Sequence, residues 1–183
     1  NVNFTLFGKK AYYDQKYEDP SLTELGIKQA EELGKKWVEK ENIELIVTSP
    51  LTRCIETMNN IFKDTNIPIV CIEYIREYPA SLQYSNKRKK ESELKEKYKN
   101  IFFSLVTEED DMWNNNKKYE TKDQLDYRTQ MFKNFIASRP EKNIAVVSHS
   151  TFLMNFLFNT VDEDESNELK HCYVYSKEFK SMY

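Results

Sequence analysis

The chain has 183 residues, 39% of them apolar, 31% charged and 14% aromatic, with 27 basic against 30 acidic side chains and a net charge of −3. That length supports one domain with a buried core, and the charge balance excludes a protein that holds nucleic acid by bulk positive potential. No apolar run approaches the ~20 residues of a membrane-spanning helix, and three cysteines without metal-ligand spacing (Cys54, Cys71, Cys172) predict a reduced, cytoplasmic protein.

In chain order, residues 2–7 alternate apolar side chains with Asn3 and Thr5, the pattern of a loop or half-exposed segment. Residues 21–41 repeat apolar side chains at helical spacing (Leu22, Leu25, Ala30, Leu33, Trp37), with Ser21 and Thr23 as N-cap candidates. Residues 43–47 read as a short strand stopped by Thr48-Ser49-Pro50, followed by a helix over 51–63 and a β-rich segment over 67–75. A charged helix is predicted over 87–99, and Trp113 with Phe102 and Phe103 reads as core or lid packing. The polar runs at 114–118 and 162–165 read as solvated loops. An amphipathic helix over 123–138 precedes an apolar strand over 143–147, the tripeptide Ser148-His149-Ser150, a helix over 152–158 and a strand-like segment over 171–175. Continuous apolar strands that alternate with helices predict an α/β fold, a three-layer α/β/α sandwich with a mostly parallel central sheet. With only Gly8, Gly26 and Gly34, the chain has no glycine-rich loop to cradle a phosphate.

Ligands of such sheets bind at the carboxyl ends of the strands. Three chemistry-bearing residues fall there: Arg53 after the 43–47 strand, Glu77 after the 67–75 segment and His149 after the 143–147 strand. An arginine at a helix start is an oxyanion donor beside free N–H groups, and the histidine and glutamate are a proton or phosphoryl partner and a general acid. Each has a plain alternative, as a surface ion pair, a helix cap and a solvated strand end respectively. Their occurrence at three corresponding strand ends is what favours phosphoryl transfer.

The segments Leu22-Thr23-Glu24-Leu25-Gly26-Ile27-Lys28-Gln29-Ala30, Thr48-Ser49-Pro50-Leu51-Thr52-Arg53, Ile75-Arg76-Glu77 and Val146-Val147-Ser148-His149-Ser150, in this order and spacing, resemble the histidine phosphatase superfamily and its phosphoglycerate mutase-like fold. The likeness runs from about residue 19 to 158, and the stretch Asn86-Lys87-Arg88-Lys89 with Ser92-Glu93-Leu94 resembles a eukaryotic-type branch. The resemblance implies roles: Arg53 as a phosphate-pocket arginine, His149 as the second histidine of the site and Glu77 as proton donor to the leaving oxygen. It also implies a phosphate-facing backbone N–H at Ser150 and no requirement for a metal or other cofactor. The insertion after Glu77, residues 78–118, would choose the substrate, with Arg88 in Lys87-Arg88-Lys89-Lys90 as the residue on the substrate side. Tyr78 and Tyr84 are candidates for the pocket mouth, and Arg128 reads as a brace of the fold.

The superfamily's nucleophile is the histidine of an Arg-His-Gly triplet at the end of its first strand, and this sequence has none. Its histidines are His149 and His171, and His171, in the strand-like segment, reads as structural or exposed. Either Leu6-Phe7-Gly8 is a degenerate triplet, or the chain starts downstream of it and Asn1 is the substrate-binding asparagine that follows the triplet. An interior strand should be a continuous apolar run, and residues 2–7 are not, which with the absent initiator Met favours the second reading. The expectation is a phosphomonoester hydrolase acting through a phosphohistidine on a phosphorylated small molecule or phosphoprotein. A catalytically inactive phosphate-binding module and a mutase-type phosphotransferase are the alternatives.

Overall fold

Four short runs of β-branched and aromatic residues pair side by side in the computed structural model, which describes residues 8–114, 118–164 and 166–179. They are β1 (Leu45–Thr48), β2 (Ile69–Ile72), β3 (Ile101–Leu105) and β4 (Ile144–Val147), in the order β3-β2-β1-β4 with every pair parallel. The helices between and beside them are α1 (Glu24–Lys36), α2 (Thr52–Ile61), α3 (Glu91–Lys97), α4 (Asp111–Asn114), α5 (Lys122–Ala137) and α6 (Ser150–Phe158).

Successive side chains of a strand point to opposite faces, and here both faces are covered. Ile46, Cys71, Ile101 and Phe103 pack with Ala30 of α1, Ile55 and Met58 of α2 and Leu94 of α3. Leu45, Val47 and Ile72 pack on the other side with Leu125 and Phe132 of α5 and Phe152 and Phe156 of α6. The interior strands β1 and β2 are therefore apolar without alternation up to Thr48, and the architecture is the predicted three-layer sandwich. β4 pairs with β1 from Leu45↔Ile144 to Thr48↔Val147 and, among the described residues, with no strand on its other edge. Of its four residues only Ala145 is buried.

The helix over 21–41 is realised as α1, capped by the Thr23 hydroxyl, which accepts from the Gly26 N–H at 3.2 Å. Three expectations are corrected. The helix over 87–99 begins only at Glu91, because the Arg88 backbone N–H is drawn to the Asp110 carboxylate at 2.9 Å and the Arg88 side chain is buried. Phe102 and Phe103 belong to a strand, β3, where Phe103 packs in the core as expected and Phe102 is exposed instead. Residues 171–175 form no strand. Residues 2–7 lie outside the described residues.

α1 and α2 approach closely at Gly34: a Cβ there would lie 2.5 Å from the Ile61 carbonyl oxygen and 3.0 Å from its Cα. Neither helix backbone can yield cheaply. Gly34→Ala is expected to destabilise, because about 1–3 kcal/mol of overpacking outweighs the ~1 kcal/mol that helix propensity would gain, and denaturant unfolding reads the difference.

Candidate active site

β1 ends at Thr48, and the chain turns through Ser49-Pro50-Leu51 into α2. The start of α2 is not open for a phosphate, as the sequence suggested. The buried Asp19 carboxylate accepts from the Thr52 N–H at 2.8 Å and from its hydroxyl at 2.7 Å. A carboxylate already complements this helix end. Burial raises the Asp19 pKa, and the two bonds from Thr52 oppose that rise.

Arg53, one residue on, is half-buried and pinned by the segment after Glu77: its guanidinium donates to the Ser85 carbonyl at 2.7 Å and to Asn86 Oδ1 at 2.9 Å. His149 caps α6 and is buried. Its Nε2 lies 2.9 Å from Ser49 Oγ and 3.4 Å from Cys54 Sγ. Burial holds the His149 pKa well below its usual value, and Arg53, Arg128 and Arg76 push it the same way, so the ring is neutral near pH 7. Burial also pushes the Cys54 thiol up to about 12, so it supplies no counter-charge.

Glu77 follows β2 and a 3-10 turn (Glu73–Ile75). Glu77 is half-buried. Burial raises its pKa, against the Arg53 charge and backbone N–H bonds from Tyr78 and Phe152. The Phe152 bond places this carboxyl at the first turn of α6, and the Ser148 hydroxyl ties the end of β4 to the Ile75 carbonyl at 2.6 Å. Arg53 acts electrostatically on both Glu77 and His149. Glu77 and His149, two of the three strand-end residues, are thus both within the field of the third, Arg53.

Other residues fall differently. Ser150 is exposed as the first residue of α6. Asn1 lies outside the described residues. Arg88 does not reach this cluster: its Nε meets the Glu73 carboxylate, and its terminal nitrogens meet the carbonyls of Lys89, Thr107, Glu108 and Glu109. It anchors the 86–90 segment and has no donor directed at a substrate. Arg128 braces as expected, pairing with Glu120 at 2.6 Å and bonding the carbonyls of Tyr74, Arg76 and Glu77. The insertion divides: Tyr84–Asn86 meets Arg53, whereas β3 belongs to the sheet. His171 is exposed.

Tyr12 was missed by sequence reading. Its hydroxyl pKa is raised by burial and by the Glu77 charge, with Arg53 opposing, so it borders the same group of side chains. Nothing in its local sequence marks it, because it reaches the site through a 3-10 helix (Gly8–Tyr13) far from it in the chain. A cavity of about 540 Å³, lined by Gly34, Trp37, Asn60 and Lys63, lies at the other end of α2 and holds none of these residues.

The profile of the histidine phosphatase superfamily (branch 1) matches residues 9–174. Phosphoglycerate mutase-like protein 1 of Arabidopsis thaliana is 29% identical over 195 residues, a match covering 87% of this chain and 68% of that protein. Phosphoglycerate mutase-like protein 2 of the same plant is 27% identical over 224 residues, covering 90% of this chain and 65% of its own length, so the chain spans about two thirds of these relatives. Among solved structures, a candidate alpha-ribazole-5'-P phosphatase from Escherichia coli superposes with a TM-score of 0.57 at 19% identity, over 83% of this chain and 72% of that one. The ecdysone phosphate phosphatase of Bombix mori in complex with tungstate gives 0.52 at 17% identity, over 95% and 69%. At such identities the structures speak for the fold alone. With the profile spanning nearly the whole chain, and the parallel sheet and its covering helices in place, the chain belongs to the histidine phosphatase superfamily.

Proposed function

We propose that this domain is the greater part of a phosphomonoester hydrolase that works through a phosphohistidine, the nucleophilic histidine lying on a strand upstream of Asn1. The observation that carries this reading is the gathering of Arg53, Glu77 and His149 at the strand ends, with Arg53 acting on both others. The edge of β4 that has no partner among the described residues, with its apolar side chains only half covered, suits a further strand, and such a strand would end beside His149.

In this mechanism a histidine nitrogen forms a bond to phosphorus as the bond to the leaving oxygen breaks. Arg53, His149 and the Ser150 N–H at the start of α6 hold the phosphoryl oxygens, and Glu77 gives its proton to the leaving oxygen. Water then attacks phosphorus, its proton passes to Glu77 and the N–P bond breaks. Burial suits Glu77 to this role, since a raised pKa keeps the carboxyl protonated further toward neutral pH. The sign follows: turnover that needs the acid form declines as pH rises through the Glu77 pKa. The neighbours act on phosphorylated compounds, and the class of substrate here is a phosphorylated small molecule or phosphoprotein. No helix among the described residues is long and apolar enough to cross a membrane.

The test is leaving-group dependence in the full-length protein. Glu77→Gln is expected to slow hydrolysis of an alkyl phosphate by about 10²–10³-fold and to abolish the fall at high pH, while an activated aryl phosphate loses far less. Equal loss on both substrates removes Glu77 from its role. No turnover on either, with phosphate still bound, supports the inactive binding module instead.

A further inference from the structure

Ser49 sits at the end of β1, fully buried, one turn of chain away from α2 and directly against the ring of His149. A buried hydroxyl carries one hydrogen that needs an acceptor, since leaving it unmade costs the group's desolvation. The neighbours of Ser49 Oγ allow one assignment. The Leu51 N–H donates to it at 3.4 Å, which uses it as an acceptor. Its other contact is His149 Nε2 at 2.9 Å. Among the described residues that nitrogen is the one available acceptor, so the hydroxyl donates to Nε2. A neutral imidazole that accepts at one nitrogen carries its proton on the other.

We infer that Ser49 is a positioning residue that locks His149 into the tautomer protonated on Nδ1, leaving Nδ1–H as the ring's donor toward a phosphoryl oxygen. Cys54 Sγ stands 3.8 Å from Nδ1, too far and too soft to satisfy that hydrogen well. The charged groups acting on the ring are Arg53 and Arg128 with Arg76, all cationic, and Cys54 of α2 is a neutral thiol. The groups acting on the ring thus include no anion, and a neutral thiol is a poor acceptor for the ring proton. The functional meaning rests on the phosphatase reading, but the tautomer does not.

The scarcity of histidine makes the test clean. Long-range 15N–1H correlation spectra of the full-length protein should contain few imidazole patterns, and His171→Gln identifies one of them. At neutral pH the His149 pattern is expected to show Nδ1 protonated and Nε2 bare. Ser49→Ala, which removes the only hydroxyl on Nε2, is expected to move the ring toward the Nε2–H form and to lower turnover by about 10–100-fold, the range for removing a partner that orients an active-site histidine. Ser49→Thr keeps a hydroxyl and is expected to retain the Nδ1–H form, so it serves if the alanine variant does not fold. A native His149 protonated on Nε2, or an Nδ1–H pattern unchanged in Ser49→Ala, overturns the inference. The expected spectra without turnover would leave the inference standing and count against the phosphatase reading alone.

Discussion

Arg53→Ala is expected to reduce kcat/KM for an aryl phosphate by about 10³-fold or more in the full-length protein, the scale at which an arginine stabilises a transferring phosphoryl group. Arg53→Lys is expected to recover little of it. The guanidinium is held at two points, by the Ser85 carbonyl at 2.7 Å and Asn86 Oδ1 at 2.9 Å, and this leaves its remaining N–H groups aimed in a set direction. A lysine has one ammonium at the end of a flexible stem and cannot be pinned and donate along two lines at once. His149→Ala is expected to fall in a similar range. Its buried ring accepts from Ser49 and touches Cys54, and its removal leaves a space rather than an uncompensated charge. Circular dichroism and unfolding midpoints near those of the native protein would confirm that both losses are chemical. Native-like turnover in either variant would show that phosphate is held elsewhere.

The largest expected effect on stability comes from Asp110. Arg76 is wholly buried, and its guanidinium is clamped by the Asp110 carboxylate at 2.5 and 2.8 Å, with Glu73 at 3.2 Å. Burial alone would lower the Arg76 pKa, but the Asp110 and Glu73 carboxylates outweigh it and hold it above its usual value. Asp110 also accepts the Arg88 N–H at 2.9 Å and the Trp113 N–H at 3.0 Å. Asp110→Ala therefore leaves the buried Arg76 cation with Glu73 as its remaining carboxylate and orphans the Arg88 amide, and a loss of about 3–5 kcal/mol in denaturant unfolding is expected. The same network reaches the site, because Arg76 also donates to the Asn86 carbonyl while the Asn86 side chain holds Arg53. A variant that remains folded at low temperature is thus expected to bind phosphate weakly as well. An unfolding midpoint close to native would mean that the pair's desolvation nearly cancels its attraction.

How much of this was legible beforehand depended on the range of the interaction that decides each residue. The strands at 43–47 and 143–147 and the helix over 123–138 are written in apolar runs and helical periodicity, and the structure places β1, β4 and α5 within a residue or two of them. Arg53, Glu77 and His149 could be picked out because strand ends are where open α/β sheets present side chains. β3 was hidden because its residues alternate Ile101 and Phe103 inward with Phe102 and Ser104 outward, as an edge strand does, amid a charged stretch. Arg88 was misplaced for a related reason: in a row of four lysine and arginine residues it read as a residue on the substrate side, whereas it is buried against Glu73 and four backbone carbonyls.

The strands at 43–47, 67–75 and 143–147 with the helices between them, the burial of the sheet interior and the three residues at the strand ends follow from the sequence by itself, since hydrophobic periodicity and strand-end position are local properties. Which donors remain free for a ligand does not. Asp19 fills the start of α2 from 33 positions away, and Ser49 meets the His149 ring from 100 positions away. Such partners are set by how the layers stack, because every buried polar group takes whichever partner the packed layers bring within reach. Only the tertiary structure could decide them.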